Sequence, residues 1–351
     1  MKRNKIVRFL TSAVLLLFLT LATACDNSFI FDSEGDCSTK VKFVFTKNRQ
    51  ALQSKYGVGP DAFSHTVESV HLFVFDDESG DLVLEKYESV DNLIDGCMMP
   101  VDLENGQYTF VAWCGLDSND ENNAFELQHN YTRADGDGCR VKMTSDLEPV
   151  HDRKYDALYH GRVSKVTVNN ADTDRIIELP VVKNTNDIAI WIQNPDASFS
   201  TEKFEVNYED ANGVIHFTDN SIVSEDERLR YRPHTTSVLT TETEYNGDKV
   251  QSGALISHIS VSRLMAHHSD DARIVVRDGE GREVFSVPFI KYVLQMQEFT
   301  DGEAKDDQWY LDCEDTFHCS FYLAGAADGT WVATRIIINN WVVVPKQDHE
   351  F

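Results

Sequence analysis

Hydrophobic and polar residues alternate along most of the chain in short runs that are typical of β-strands. In the first run, KVKFVFT, Val41, Phe43 and Phe45 fall on one side of an extended backbone. The runs at 67–75 (VESVHLFVF) and 107–113 (QYTFVAW) are richer in aromatic and β-branched residues, which predicts central strands. Turn residues separate such runs at intervals of roughly ten residues. The pattern therefore favours an all-β protein built from sandwiches or barrels.

The rest of the chain repeats this pattern and divides into two units. Further strands are predicted at residues 162–168, 175–182, 187–193, 203–208, 213–217, 254–261, 272–277, 284–290, 317–323 and 331–344. Only 48–56 and 291–299 have apolar residues at helical spacing for a few turns. A polar cluster, 183–186, follows Pro180 between two strands, so we place a domain boundary there. The predicted sandwiches span 37–180 and 181–351.

Residues 1–24 have the three-part layout of a secretory signal. Basic residues precede an apolar run at 9–21, which is too short to span a bilayer, and small residues follow it. Cys25 comes directly after them, an arrangement that resembles the lipobox of bacterial lipoproteins, although Ala22 stands where that motif usually has Leu. We therefore expect lipid on Cys25 and a tether over 25–36. The alternative is a secreted protein with Cys25 in a disulfide.

Six further cysteines follow in a chain directed to an oxidising compartment, where disulfides persist. Cys313 and Cys319 are the predicted pair, because Glu314 and Asp315 between them suit a tight turn. The alternative for each cysteine is a small buried side chain without a bond.

Charge and motif content limit the possible functions. The chain has 58 Asp and Glu against 32 Lys and Arg, a net charge of −26. Such a surface repels polyphosphate, so nucleic-acid binding is not expected. The motifs of serine hydrolases, zinc proteases, P-loops and dinucleotide sites are absent, and no catalytic residue or cofactor is predicted. His267 and His268 precede Asp270 and Asp271, but neighbouring strand residues face opposite sides, which favours a solvated loop over a metal site.

Several segments occur in one order from residue 25 almost to the C-terminus. They are Cys25, 70–76 (VHLFVFD), 106–108 (GQY), 111–113 (VAW), 159–161 (YHG), 183–186 (KNTN), 262–264 (SRL) and 338–341 (INNW). Together they resemble the FimB-type minor fimbrial anchor lipoproteins of type V fimbriae. The resemblance implies two tandem transthyretin-like Greek-key β-sandwich domains and no enzymatic activity. It also implies a lipid anchor in the outer membrane, a major fimbrial pilin as partner, and a role in attaching the fibre and ending its growth.

The resemblance also implies how the first strand behaves. In type V fimbriae a major pilin loses its first strand by proteolysis after an Arg, and a strand from a neighbouring subunit fills the open groove. Here Arg49 follows the strand that carries Val41, Phe43 and Phe45. Cleavage after Arg49 would separate the fold from Cys25. We therefore expect the strand to stay in its own groove.

The C-terminal run 335–344 (RIIINNWVVV) is apolar enough to be a donor strand for the pilin. Its candidate residues are Ile336, Ile338, Trp341 and Val343. The alternative is that the run is the closing strand of the second sandwich, because a core needs its last strand.

Two other functions are compatible with the sequence. A surface glycan-binding lipoprotein would need exposed aromatic residues on one face, for which Trp191, Trp309 and Trp331 are the candidates. A lipid-anchored β-sandwich hydrolase would need two carboxylates that converge in a cleft.

Overall fold

The structure is a computed structural model in which strands dominate, and this confirms the all-β class. It describes residues 39–47, 60–116, 124–128, 140–143, 150–169, 175–194, 204–223, 228–245, 248–296, 306–325, 331–339 and 341–343. The signal and tether with Cys25, the helix predicted at 48–56 with Arg49, and the cysteines Cys37 and Cys139 lie outside these residues.

The strands account for nearly every run that alternation predicts within the described residues. In chain order they are β1 Thr39–Phe45, β2 Ser69–Asp76, β3 Leu82–Ser89, β4 Met98–Val101, β5 Gly106–Cys114, β6 Phe125–Gln128, β7 Arg140–Met143, β8 Val150–His151, β9 Tyr159–Val168, β10 Ile176–Lys183, β11 Thr185–Asn194, β12 Phe204–Asp210, β13 Val214–His216, β14 Leu229–Tyr231, β15 Thr235–Tyr245, β16 Asp248–Ser262, β17 Arg273–Asp278, β18 Glu283–Pro288, β19 Thr316–Gly325, β20 Trp331–Ile338 and β21 Trp341–Val343.

The helices of the described residues are short. They are α1 Pro60–Thr66, α2 Phe289–Leu294 and α3 Asp307–Cys313, with single 3₁₀ turns at Val90–Asn92 and Ala266–His268. The helix predicted at 291–299 therefore begins earlier, at Phe289. In α3 the Asp306 carboxylate accepts a hydrogen bond of 2.6 Å from the Trp309 N–H and caps the first turn. Within the described residues, no helix has the length and apolar character that crossing a membrane requires.

The first sheet has seven strands in the order β3-β2-β5-β9-β10-β1-β4. Its central strands are covered on both faces. In β2, Val70 and Leu72 pack in one cluster, which we call the N-terminal core, and Phe73 and Phe75 pack in a second cluster, which we call the shared core. Because successive side chains point to opposite faces, a strand buried on both sides has a continuous apolar sequence. This explains the VHLFVF run.

The C-terminal half contains two larger sheets. The second sheet has the order β15-β16-β11-β19-β20-β21, and the third has the order β18-β17-β12-β14-β8. Ile190 of β11, Tyr208 of β12 and Ile274 of β17 are fully buried in the shared core. Side chains from both sheets thus form one apolar layer, as in a β-sandwich.

Strands from the two halves of the chain also pair with one another. β8 runs parallel to β14, with Val150 opposite Arg230. A small fourth sheet, β13-β7-β6, joins β7 to β13. Trp113 of β5 lies in the shared core together with Ile190 of β11. The two halves therefore share two sheets and a core.

Strand β10 packs closely against β9 and continues past the boundary predicted after residue 180. At Gly161 of β9, a Cβ would collide with the Leu179 side chain and the Pro180 carbonyl, so the close approach requires glycine. β10 ends at Lys183, and Asn184 alone separates it from β11. The division into two domains remains a prediction.

Candidate functional site

Strand β1 is an integral member of the first sheet. It runs parallel to β10 on one side, with Phe43 opposite Leu179, and antiparallel to β4 on the other. Val41 and Phe43 are fully buried. The half-buried ring of Phe45 lies 5.3 Å from the ring of Phe63 and 5.1 Å from that of Tyr159. The apolar face of β1 is therefore covered by its own chain.

Lys47, two residues after the end of β1, forms an ion pair with a residue of the C-terminal half. Lys47 Nζ lies 2.9 Å from Asp312 Oδ2, and the Asp312 side chain in α3 is only 1% exposed. Arg263 donates to the same carboxylate from Nε at 3.0 Å and from Nη2 at 2.9 Å. Gln308 Nε2 donates to Oδ1 at 3.0 Å. Two cations thus compensate the charge of a buried carboxylate, and one amide donates a further hydrogen bond to it.

Arg263 extends this network to a pair of asparagines. Its Nη1 donates to the Asn220 carbonyl at 2.7 Å. The side-chain amides of Asn220 and Asn184 exchange two hydrogen bonds, of 2.5 and 3.0 Å. Asn220 adopts a positive φ of 62°, a conformation that Asn tolerates better than most residues. We call Lys47, Asp312, Arg263, Asn220 and Asn184 the junction network.

The polar cluster at 183–186, where the sequence places a domain boundary, is largely buried. Asn184, Thr185 and Asn186 are buried, at 0%, 4% and 5% exposure. Lys183 Nζ forms an ion pair of 3.2 Å with Asp315. Buried polar groups are costly without partners, and Lys183, Asn184 and Asn186 find theirs in segments far along the chain. The only local signal was an unusual run of polar residues between two apolar strands.

A second contact joins the two halves inside the shared core. The Phe217 carbonyl accepts a hydrogen bond of 3.1 Å from Trp113 Nε1 and lies 3.2 Å from His160 Nε2. Burial, with the nearby Arg263 charge, lowers the pKa of His160 to about 3. The ring is therefore neutral at pH 7, and Nε2 must carry its proton in order to donate to the carbonyl.

His268 lies in a different environment from the solvated loop expected for it. It is 4% exposed, and its Nδ1 lies 2.6 Å from Asp210 Oδ1. Tyr208 donates to the other oxygen of Asp210 at 2.9 Å. Asp270 instead pairs with Lys291 at 2.7 Å. No group of three metal-ligating side chains occurs among the described residues.

The predicted disulfide between Cys313 and Cys319 is not formed, because Cys319 is a buried free thiol. Cys313 ends α3, whereas Cys319 lies within β19, opposite Ile190 of β11. Strand geometry carries Cys319 about 10 Å beyond Thr316, where β19 begins, so the short loop does not return the chain. Burial raises the pKa of the Cys319 thiol.

The run predicted as a single C-terminal strand folds as two antiparallel strands. The chain reverses at Asn339, which has a φ of 43°. Ile336 and Ile338 of β20 are 4% and 0% exposed in the shared core, so they are not accessible to a partner as donor-strand residues. Trp341 and Val343 belong to β21, which pairs with β20 and forms one edge of the second sheet.

The aromatic residues suggested for glycan binding lie on different elements. Trp191 in β11 is 37% exposed. Trp309 is half-buried in the first turn of α3. Trp331 begins β20, and its side chain lies outside the described part of the chain.

Comparison with known proteins identifies the family. Residues 33–345 match the model for the fimbrillin-A associated anchor proteins Mfa1 and Mfa2. The chain belongs to this family. Its members are associated with fimbriae, so the protein has a fimbria-associated role at the cell surface. The resemblance to fimbrial anchor proteins is thereby confirmed. None of the curated proteins matches the chain.

Solved structures share the fold at low sequence identity. A proposed adhesin from Bacteroides thetaiotaomicron has a TM-score of 0.70 at 23% identity, over 88% of this chain and 98% of that one. A proposed polysaccharide-binding protein from the same organism has a TM-score of 0.67 at 21% identity, over 89% and 99%. The fimbrial anchor protein Mfa2 from Porphyromonas gingivalis has a TM-score of 0.60 at 15% identity, over 88% and 99%.

Proposed function

We propose that this protein is a non-enzymatic lipoprotein that anchors a fimbrium at its base in the outer membrane and ends fibre growth there. The observation that carries the proposal is the position of β1, which lies between β10 and β4 in its own sheet. A subunit that keeps its first strand offers no open groove at that position to the strand of another subunit. Family membership supports the same role.

Two interactions support retention of β1. Burial of Val41 and Phe43 contributes roughly 1.5 to 3 kcal/mol for each side chain. The ion pair between Lys47 and Asp312 fastens the chain just after the strand. Both contributions would be lost if the strand were removed, whereas an anchor gains nothing from its removal.

N-terminal sequencing of the mature protein from fimbriated cells tests whether β1 is retained. We expect no chain that begins at Gln50, the residue after Arg49. The major pilin from the same preparation is the control, because its processed N-terminus shows that the protease was active. A mature protein starting at Gln50 would overturn the closed groove.

The membrane attachment is tested by the variant Cys25→Ser. Each buried CH₂ of an acyl chain contributes ~0.8 kcal/mol, and two or more chains give stable attachment. The acidic polypeptide has no comparable affinity for an anionic surface. We expect the variant to move from the outer-membrane fraction to the soluble fraction, with fimbriae released into the medium. Unchanged partitioning into detergent would contradict the lipid anchor.

The pilin then binds elsewhere on the molecule, and we place its contact at β21. Among the described residues this strand is paired on one side only, and Val342 is 50% exposed. An open strand edge offers unpaired N–H and C=O groups to an incoming strand. The four candidate donor residues thus divide between a core strand and this edge strand.

A further inference from the structure

A polar cleft of about 540 Å³ lies where the first sheet meets the beginning of the second. Tyr87 at the end of β3 lines one part of the wall. Lys154 and Asp156, in the segment before β9, line another part. Thr185 and Asp187, in the first residues of β11, complete it. The volume is within the range of sites for small ligands.

The charges in this wall disfavour an anionic ligand. Glu68, Asp156 and Asp187 contribute carboxylates, whereas Lys154 and Lys183 contribute ammonium groups. Lys183 already forms an ion pair with a carboxylate outside the cleft. Carboxylates therefore outnumber the cations, in a protein whose net charge is −26. A neutral ligand that donates hydrogen bonds avoids this repulsion and uses the carboxylates as acceptors.

Hydroxyl groups and one aromatic ring complete the chemistry of the cleft. Thr66, Ser69 and Ser89 line it beside the carboxylates. Thr185 is 4% exposed, and its hydroxyl has no hydrogen-bond partner among the described residues, which is costly for a buried polar group. Tyr87 is 43% exposed and offers both a flat apolar ring and a hydroxyl.

We propose that this cleft binds a neutral oligosaccharide. Sugar hydroxyls donate to the carboxylates and accept from Lys154 and the hydroxyl side chains, while the C–H face of a sugar ring packs on Tyr87. The anchoring role does not require this activity, and the cleft is formed by residues other than those of β1 and β21. The proposed activity is binding alone, without cleavage of the sugar.

A glycan array tests the proposal with the purified full chain and its variants. The array carries neutral and acidic oligosaccharides. Tyr87→Ala and Asp156→Asn alter exposed side chains in the cleft wall, and Trp191→Ala alters an exposed aromatic residue outside it. We expect the full chain to bind neutral oligosaccharides, with affinity roughly tenfold weaker in Tyr87→Ala and unchanged in Trp191→Ala.

The possible outcomes separate this proposal from the anchoring role. Absence of binding to neutral sugars, a preference for acidic ones, or equal binding by the full chain and both cleft variants would overturn the assignment. Loss of binding in Trp191→Ala alone would locate the sugar elsewhere and also overturn it. Mass spectrometry of the bound sugar detects cleavage, which would contradict simple binding. Circular dichroism of each variant verifies the fold, and none of these results bears on fimbrial attachment.

Discussion

Asp312 has two cationic partners although its side chain is almost fully enclosed. Removing a charge from water is costly, and the ion pairs with Lys47 and Arg263 offset that cost only while all partners are present. The junction network therefore stabilises the native state because the buried carboxylate keeps its charged partners. Loss of Asp312 would leave both cations without their partner, whereas loss of Lys47 would leave Arg263 and Gln308 on the carboxylate.

Asp312→Asn is expected to lower the free energy of unfolding by about 3 kcal/mol, because two cations then face a neutral amide. Lys47→Ala should cost about 1 kcal/mol, since the Lys47 side chain is 28% exposed. Urea denaturation measures both values. Lys291→Ala is the control, because its ion pair with Asp270 lies at the surface and should contribute less than about 1 kcal/mol. Equal losses in all three variants would contradict the role of burial.

His160 makes stability depend on pH. Its pKa is about 3 in the folded protein against an ordinary value of 6.5. Below pH 6.5 the unfolded chain binds a proton at this histidine, and the folded chain does not. The free energy of unfolding therefore falls as the pH decreases below 6.5, and His160 does not change it at higher pH. Between pH 7.5 and pH 5 the loss should be ~2 kcal/mol.

Chemical denaturation at the two pH values measures this loss in the parent protein and in His160→Gln. The variant should lack the part of the pH dependence that His160 causes. His65→Gln, which alters an exposed histidine, should keep the full dependence. If the parent and His160→Gln lose the same stability between the two pH values, His160 is not the responsible group.

At the scale of single strands, β1 and β21 differ in how completely they are paired. β1 has neighbours on both sides, whereas β21 is three residues long and, within the part of the chain that the structure describes, pairs with β20 alone. β20 contributes Ile336 and Ile338 to the shared core, but β21 presents the exposed Val342. Removal of β21 should therefore affect binding more than folding.

A chain ending at Asn339 retains β20 and lacks β21. We expect it to fold with near-native circular dichroism and to lose capture of the major pilin in a pull-down assay. Leu239→Ser alters an exposed residue of β15, at the opposite edge of the second sheet, and should leave capture intact. Unfolding of the shortened chain would assign β21 to the core, and undiminished capture would move the pilin contact elsewhere.

The whole molecule is held together by the shared core and by strands that pair across its two halves. Phe217 contacts Trp113 and Phe73 of the first sheet, with ring centroids 6.3 and 4.7 Å apart. Its carbonyl also bonds to Trp113. Because both halves bury side chains in one cluster, neither can lose its packing without exposing the other.

Phe217→Ala is therefore expected to destabilise both halves, by about 3 to 5 kcal/mol. Hydrogen exchange followed by mass spectrometry should show faster exchange in β5 and in β11 together. Val83→Ala, at a position that is 50% exposed, should change neither strand. Faster exchange confined to β11 would show that the halves open independently.

The strands were predictable from the sequence because alternation is a local property. A side chain at every second position faces the same side, so Val41 and Phe43 indicate a half-buried strand without knowledge of its neighbours. Turn residues and the lipobox-like Cys25 are equally local signals. The all-β class and the fimbrial anchor family follow from such signals.

Contacts between distant segments were decided by the tertiary structure alone. Asn184 pairs with Asn220, which is 36 positions away along the chain. His268 pairs with Asp210, which is 58 positions away. The chain reversal at Asn339 depends on the pairing of β20 with β19, because Asn339 exchanges hydrogen bonds with His318 of β19. Sequence periodicity shows which side of a strand is apolar, but it contains no information on which partner covers that side. That choice arises when the chain packs, since burial of each polar group depends on the hydrogen bonds available at its final position.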